Sequence, residues 1–505
     1  MKVEEKYDVV VIGGGATGAA VARDCAMRGL KTLLLEKEDF AYGTTGRCSG
    51  LLHGGPRYLL TEPEIVEASC KESGVIQRIA SSLVFRVPFL LLVFKGDKYG
   101  IDLLDAYFRE YDRYSRARGG RPHTVLGRRE VLEANPLVSR EVEGAIGFDE
   151  FGVDVFRLTL LTALSAEKHG AKLMTHCEVV DIGSSRVRFY DKVRGRLLEA
   201  RFEVAVNAAG PWAPQVAKLA GARVELRLTR GTHLIYPRQL FTTAIAMQAI
   251  DGREVMLIPH QSSMLLGTTD EDHYASPDEA YPTRDEVMYL LQAAYRAVPA
   301  LREVKPVRAM AGVRPLLPEW GKREEDVTRG FRVIDHEELG EASLISVVGG
   351  KMVLHRLMAE EATDLICRKL GAREKCRTHL EAIDGELSWR AEPTPRSESY
   401  CCECERVLAS GVKEAVREHA RTLVDVRRRT RIGMGLCQGV SCSYKAALTL
   451  AGELKLSPRE ALRQLRELLE ERWRGRWPIA EVSSHELTEL AHGVYSCLAA
   501  LEVYA

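Results

Sequence analysis

The sequence predicts a large α/β protein, and three observations carry that expectation. An apolar, β-rich run at Tyr7–Ile12 leads into a Gly-rich turn, a helix and a second short strand. Residues 41–385 then alternate apolar strand-like runs with longer helical patterns. After a break in composition, five of the 12 cysteines fall within residues 401–442. At roughly 100–200 residues per domain, 505 residues make about three compact units.

The first element is the best defined. Gly13, Gly15 and Gly18 form G-x-G-x-x-G directly after the strand. Ala16–Arg28 reads as a helix with Gly29 at its C′ position, and Leu33–Leu35 as a strand ending at Glu36. Gly13 allows a tight turn, Gly15 lets the backbone approach a pyrophosphate, and Gly18 lets helix and strand pack closely. The helix N-terminus offers free N–H groups to phosphate. Glu36 can accept hydrogen bonds from a ribose diol, and its charge argues against a 2′-phosphate and hence against NADP. The motif by itself leaves FAD and NAD open, and its place at the extreme N-terminus favours FAD.

Later elements follow by the same logic. Val87–Phe94 is too short for a membrane helix and flanked by Arg86 and Lys95, so it reads as a buried strand. Val206–Trp212 reads as a strand ending in a tight Gly turn whose small residues would let backbone pass close to a nucleotide. Pro-containing residues 386–400 show no apolar periodicity and read as a linker between a 1–385 oxidoreductase region and a 401–455 Cys-rich domain. Residues 456–505 read as a helical tail. Ser457, Pro458 and Glu460 form a capping box, and Leu462, Leu465 and Leu469 follow at helical spacing.

Composition narrows the function classes. Lys plus Arg equals Asp plus Glu at 71 each, so no global field draws the chain to nucleic acid or membrane. No signal peptide or membrane-spanning run is visible, which points to the cytoplasm, with any membrane association peripheral and through partners. Cys402 and Cys404 form C-x-C, and Cys437 and Cys442 form C-x4-C. Four thiolates in two pairs suit an iron–sulfur cluster or zinc, although zinc more often takes C-x2–4-C in both pairs. Cys401 lies outside that pattern, while Cys25 and Cys367 sit in apolar helical patterns as core residues. The run Arg427–Arg429 with Arg431 has no interleaved aromatics, so it is read as surrounding an anionic cluster or pairing with acids.

Several runs together resemble the FAD-dependent glycerol-3-phosphate dehydrogenases. They are Gly13–Gly18, Thr44–Leu59, Asn207–Trp212, Gly312–Leu316 and Gly349–Arg356. Cys402–Glu405 and Arg427–Gly439 resemble the C-terminal part of the A subunit of the anaerobic enzyme. The cysteine pattern is similar to [2Fe–2S] domains related to bacterioferritin-associated ferredoxin. Many single-chain members carry a Ser-rich run where this chain has Gly46–Arg47–Cys48–Ser49–Gly50, and that departure favours the anaerobic branch.

The resemblance implies a glutathione-reductase-type FAD-binding domain, a D-amino-acid-oxidase-like substrate domain and a small, mostly helical iron–sulfur domain. It implies oxidation of sn-glycerol 3-phosphate to dihydroxyacetone phosphate, with electrons leaving through other flavin or iron–sulfur subunits toward a quinone. The FAD contacts it implies are Gly13, Gly15, Ala16, Thr17, Gly18, Glu36, Lys37, Thr44, Thr45, Leu52, His53 and Gly54, then Ala209, Gly210, Trp212, Gly350, Lys351 and Met352. Arg57, Tyr58, Arg314, Arg329 and Lys351 line the substrate pocket by the same resemblance. Those types suit the task, because Arg binds phosphate bidentately and Lys adds a point charge. His233, in R-G-T-H, is the expected base, acting with Arg314 and Lys351; the bland alternative is a structural His on a strand, and His53 is a second candidate whose flanking glycines suggest flavin proximity instead. Two other functions compete: an amino-acid or amine dehydrogenase of the proline, sarcosine or opine type, and a non-catalytic electron-transfer protein.

Overall fold

A computed structural model of the chain describes residues 5–260, 263–338, 343–383, 400–435, 437–483, 490 and 493–495. The chain shuttles between two sheets. Strand β1 (Lys6–Ile12), helix α1 (Ala16–Met27) and strand β2 (Thr32–Leu35) open the first sheet, and β3 (Val84–Phe94) and β4 (Val142–Val153) open the second. Helix α2 (Val155–Lys168) returns the chain to β5 (Lys172–Met174) and β6 (Arg196–Asn207) of the first sheet. The second then gains β7 (Arg227–Tyr236), β8 (Ala244–Gln248), β9 (Glu254–His260), β10 (Ser263–Gly267) and β11 (Arg308–Leu316). The first closes with β12 (Phe331–Asp335), β13 (Leu344–Gly349) and helix α3 (His355–Leu370). Two sheets built from alternating stretches of chain explain the mixed helical and strand-like patterns of residues 41–385.

The spine of the first sheet runs β12-β13-β6-β1-β2-β5, parallel except for β12, and a hairpin of Cys177–Ile182 and Arg186–Asp191 pairs antiparallel with β6. Ile12 is in register with both Asn207 and Leu35, so Gly13, Ala208 and Glu36 leave the sheet at one carboxyl end. That end of an open parallel sheet is where ligands bind. Helix α1 is rich in Ala, and Ala19, Ala20, Val21, Ala22 and Ala26 are buried, so small side chains let it lie close to β1 between α2 and α3. The second sheet runs β11-β7-β10-β9-β8-β3-β4, with helix Arg284–Ala297 on its apolar face. The expected buried strand Val87–Phe94 forms as the inner part of β3, whose leading Phe85 and Arg86 are exposed.

Helices α4 (Ala409–Arg417), α5 (Leu423–Thr430), α6 (Cys442–Leu454) and α7 (Pro458–Arg476) close on a separate core of Val412, Leu423, Ala446, Leu450 and Leu465. Except for Tyr400, the expected linker lies outside the described residues, as does much of the tail after α7. The Ser457 capping box forms as expected: Ser457 N donates to Glu460 Oε2 at 2.8 Å and Glu460 N to Ser457 Oγ at 3.3 Å. The leucine stripe needs one correction. Leu465, Leu468 and Leu469 are buried, while Leu462 is 38 % exposed. Leu462 projects within about 20° of Leu469 but stands two turns nearer the helix start, at the edge of the buried face.

Candidate functional site

A continuous cavity of ≈ 1180 Å³ begins at the carboxyl end of β1 and ends between the two sheets. Pockets for drug-sized ligands fall between roughly 300 and 1,000 Å³, so this volume suits a dinucleotide with a second small molecule. At its first end Gly13 has φ +110°, and a Cβ there would lie 2.5 Å from the Ala208 carbonyl oxygen. A Cβ on Gly18 would lie 1.9 Å from the Gly13 oxygen, so only glycine permits this helix–strand approach. The N-cap Gly15 has no side chain to cap α1, Thr45 Oγ1 accepts from Ala16 N at 3.1 Å, and Gly15, Ala16 and Thr17 face the cavity.

Glu36 is held rigidly at the tip of β2. Its Oε2 accepts from Gly14 N at 2.6 Å and its Oε1 from Glu38 N at 2.8 Å. Burial pushes its carboxyl up, against the two N–H bonds. Lys37 lies 4.1 Å over the Trp212 ring, and both donate to Asp278 at 3.0 Å. Thr44, Thr45, His53, Ala209, Gly210, Gly350, Lys351 and Met352 continue the wall. Gly18, Leu52 and Gly54 differ from expectation: none of them lines the cavity, and Gly18 is turned against the Gly13 oxygen. Leu52 is fully buried, and a Cβ on Gly54 would meet Tyr111 and Arg118, so the two stand one layer behind the wall. The helix N-terminus at the cavity, the open glycine face and the anchored Glu36 fit an adenine dinucleotide.

The far end is cationic. Around the Tyr58 ring lie Arg57 at 4.9 Å, Lys351 at 5.3 Å and Arg329 at 5.9 Å. Arg314 on β11 joins them through Asp270, whose Oδ1 accepts from Arg314 at 2.9 Å and Oδ2 from Arg329 at 3.0 Å. Burial alone would raise the Tyr58 hydroxyl, yet Arg329, Arg57 and Lys351 hold it below the usual phenol range. Lys351 donates to the His53 carbonyl and to Ser69 Oγ, each at 3.1 Å, and burial pushes it down to about 8. The Nε of Arg329 is buried with no partner. Arg57, Arg314, Arg329 and Lys351 thus gather at one end of the cavity, with Asp270 bridging two of them, a cluster that suits a phosphate ester.

Two histidines face this end. His233 contacts Ser49 Oγ through Nε2 at 3.0 Å. Burial, with Arg314 nearby, pushes His233 down to about 3, so it is neutral near pH 7. His53 Nδ1 lies 3.2 Å from Glu150 Oε1, an ion-pair distance with the ring off the line of a good hydrogen bond. Asp270, Glu150 and Ser49 are not foreseen from the sequence. No spacing marks them, since each meets its partner from another strand or loop.

The sequence-predicted cysteines come together. Cys402 and Cys404 sulfurs lie 3.9 Å apart, and Cys404 and Cys437 sulfurs 3.5 Å apart. The Cys442 thiol bonds to Cys402 and Cys437, holding both of those thiols below the usual range. Backbone N–H groups of Gly433 and Gly439 also face these sulfurs. A Cβ on Gly435 would sit 2.9 Å from the Cys404 sulfur, so the loop is shaped around the thiols. Two thiolates on one tetrahedral metal with bonds of ~2.3 Å lie about 3.8 Å apart, which these spacings match. Cys404 is exposed and Cys442 buried, so one edge of the set reaches the surface. Cys25 is buried in the apolar cluster around α1, as expected, whereas the buried Cys367 lies beside Arg28, which donates to its sulfur at 3.9 Å. The Arg run pairs with acids: Arg427 with Glu471, Arg429 with Asp39 and Arg431 with Glu405.

Comparisons with known proteins agree with this geometry. Residues 8–365 match the FAD dependent oxidoreductase family, and residues 400–451 the BFD-like [2Fe-2S] binding domain. The chain is 33 % identical to the A subunit of anaerobic glycerol-3-phosphate dehydrogenase from Escherichia coli K12, over 99 % of this chain and 98 % of that protein. It is 32 % identical to the corresponding protein of Haemophilus influenzae, over 98 % and 93 %. Among solved structures, the glycerol-3-phosphate dehydrogenase from Bacillus halodurans complexed with FAD superposes with a TM-score of 0.71 at 24 % identity, covering 94 % of this chain and 96 % of that one.

Proposed function

The chain belongs to the family of anaerobic glycerol-3-phosphate dehydrogenase A subunits, and we propose the following division of labour among its residues. The protein is an FAD-dependent enzyme that oxidises sn-glycerol 3-phosphate, and it carries a [2Fe–2S]-binding domain. The observation that carries the assignment of roles is the single cavity joining the nucleotide cradle to the cationic end. The chemistry that FAD supplies when bound is uptake of a hydride from the carbinol carbon.

Gly13, Gly15, Ala16, Thr17 and Glu36 hold the dinucleotide. Arg57, Arg314, Arg329 and Lys351 bind the substrate phosphate, with Tyr58 among them. Bidentate Arg contacts orient the ester so that its hydroxyl carbon points back along the cavity. For the hydroxyl proton the geometry supports the second sequence candidate over the leading one. His233 is neutral but strongly disfavoured as a cation by burial and by Arg314. His53 has Glu150 at 3.2 Å to offset the charge it gains on accepting a proton. His53 is therefore the base, and His233 with Ser49 positions the substrate. Cys402, Cys404, Cys437 and Cys442 ligate the cluster, with the exposed Cys404 edge facing a one-electron partner.

No helix among the described residues is long and apolar enough to cross a membrane. Contact with the inner face of the cell membrane would come through partner flavin or iron–sulfur subunits. The test is anaerobic mixing of the holoprotein with sn-glycerol 3-phosphate, glycerol, proline and sarcosine. Bleaching of the flavin by glycerol 3-phosphate only is the expected result. Bleaching by an amino acid and not by the phosphate ester overturns it.

A further inference from the structure

Helix α5 touches both ends of the electron path. On one side its Arg429 makes a bidentate pair with Asp39, at 2.7 and 2.9 Å, with both residues essentially inaccessible. Arg428 donates to the Phe40 carbonyl at 3.3 Å and lies 5.0 Å over the Tyr42 ring. Asp425 meets His176 Nε2 at 2.8 Å, and Arg157 donates to the Arg429 carbonyl. On the other side the chain turns left-handed at Arg431, φ +67°, pairs with Glu405 at 2.9 Å and presents Gly433 N–H to the Cys402 sulfur. Only a short run of chain, from Arg429 to Gly433, separates the Asp39 contact from the cluster contact.

Asp39, Phe40 and Tyr42 belong to the segment that begins at Glu36 and walls the nucleotide cavity through Glu36, Lys37, Tyr42 and Gly43. Arg429 is also fully satisfied, since its Nε donates to the Glu418 carbonyl at 2.8 Å. A buried ion pair contributes little net stability but tolerates only one geometry. A segment that both wraps a ligand and locks a second domain cannot be ordered by one without favouring the other.

We propose that the Asp39–Arg429 pair couples FAD binding to docking of the cluster domain, so that each event strengthens the other. The inference rests on the FAD and cluster assignments above. Coupling between two equilibria is reciprocal: the factor by which docking tightens FAD equals the factor by which FAD suppresses undocking. Arg429 is then a positioning residue, because it touches neither cofactor and sets the wall of one against the cradle of the other.

The test uses the full chain with its cluster in place and its FAD removed. FAD is titrated by fluorescence quenching into the wild type and into Arg429→Met, and hydrogen exchange over residues 423–430 is followed with and without FAD. The expected result is an FAD Kd raised about tenfold or more in the variant. Wild-type FAD should also slow exchange in α5 by a comparable factor, and the variant should lose that protection. A folded Arg429→Met with wild-type FAD affinity overturns the coupling, as does wild-type exchange that ignores FAD. If Arg429→Met does not fold, Arg428→Met removes the Phe40 and Tyr42 contacts and should shift the Kd in the same direction; no shift overturns the coupling. A wild-type chain that binds no FAD would instead refute the cofactor assignment.

Discussion

Glu150 and Arg118 form a buried ion pair at 2.6 Å directly behind the cavity wall, with side chains 1 % and 0 % exposed. The pair is well satisfied. Arg118 also donates to the Tyr111 hydroxyl at 2.6 Å and the Asp149 carbonyl at 2.9 Å, and Glu150 accepts from Gly54 N at 3.2 Å. It supports the loop carrying His53 and the Lys351-bound carbonyl. Burial alone would raise the Glu150 carboxyl, but Arg118 and His53 hold it well below the usual carboxylate range.

Glu150→Gln should lower stability by roughly 3–5 kcal/mol, because it strands a buried guanidinium. A urea midpoint that barely moves would contradict this. The carboxyl is depressed in the folded state, so its contribution is present above the unfolded value near 4.5 and lost as pH falls toward the folded value. Acid unfolding of the wild type should therefore steepen below about pH 4.5, and that part should vanish in the variant. The variant should also lose about 10²-fold or more in kcat, since His53 loses its orienting carboxylate.

Arg314→Ala and Arg329→Ala should each raise KM for glycerol 3-phosphate by about 10- to 100-fold, with a smaller change in kcat. Hydrogen bonds to charged groups contribute roughly 1.5–3 kcal/mol, and 1.4 kcal/mol is a factor of ten. Dye-linked initial rates measure both constants. An unchanged KM in both variants would remove phosphate from the proposed pocket.

Lys351, pushed down to about 8 by burial, should lose its proton within the assay range. Its charge attracts phosphate only while protonated. Substrate affinity should thus decline as pH rises through about 8. Lys351→Arg keeps its charge to higher pH, so its KM should stay flat there. A wild-type KM flat from pH 6.5 to about 9.5 would count against Lys351 as a phosphate ligand.

Cys404→Ser should remove the visible absorption and the reduced-state EPR signal of the cluster while the flavin spectrum persists. The thiol stands at the exposed edge of the set and supports no buried core. Retention of a full cluster signal would assign the fourth ligand elsewhere.

Much of this site was legible in the sequence because its signals are local. A strand, three glycines, a helix and a terminal acid occupy 30 consecutive positions from Tyr7 to Glu36, and each cysteine pair is set by short spacing. The pocket arginines were legible only as parts of longer motifs. Asp270, Glu150 and Ser49 were not, because a buried carboxylate or hydroxyl carries no spacing of its own. Leu52 and Gly54 show the converse: they sit within a motif at the cavity, yet a one-residue alternation turns them behind its wall.

The sequence by itself determined the βαβ cradle, the thiolate set and the stock of cations, since backbone conformation and near-neighbour chemistry dictate those. Only the tertiary structure decided which histidine has a carboxylate behind it, which acid bridges Arg314 and Arg329, and that Asp39 meets Arg429. Those pairings join residues tens to hundreds of positions apart. What selects them is the cost of leaving a charge unpaired in a dry interior, and that cost exists only once the two sheets and the cluster domain have closed on one another.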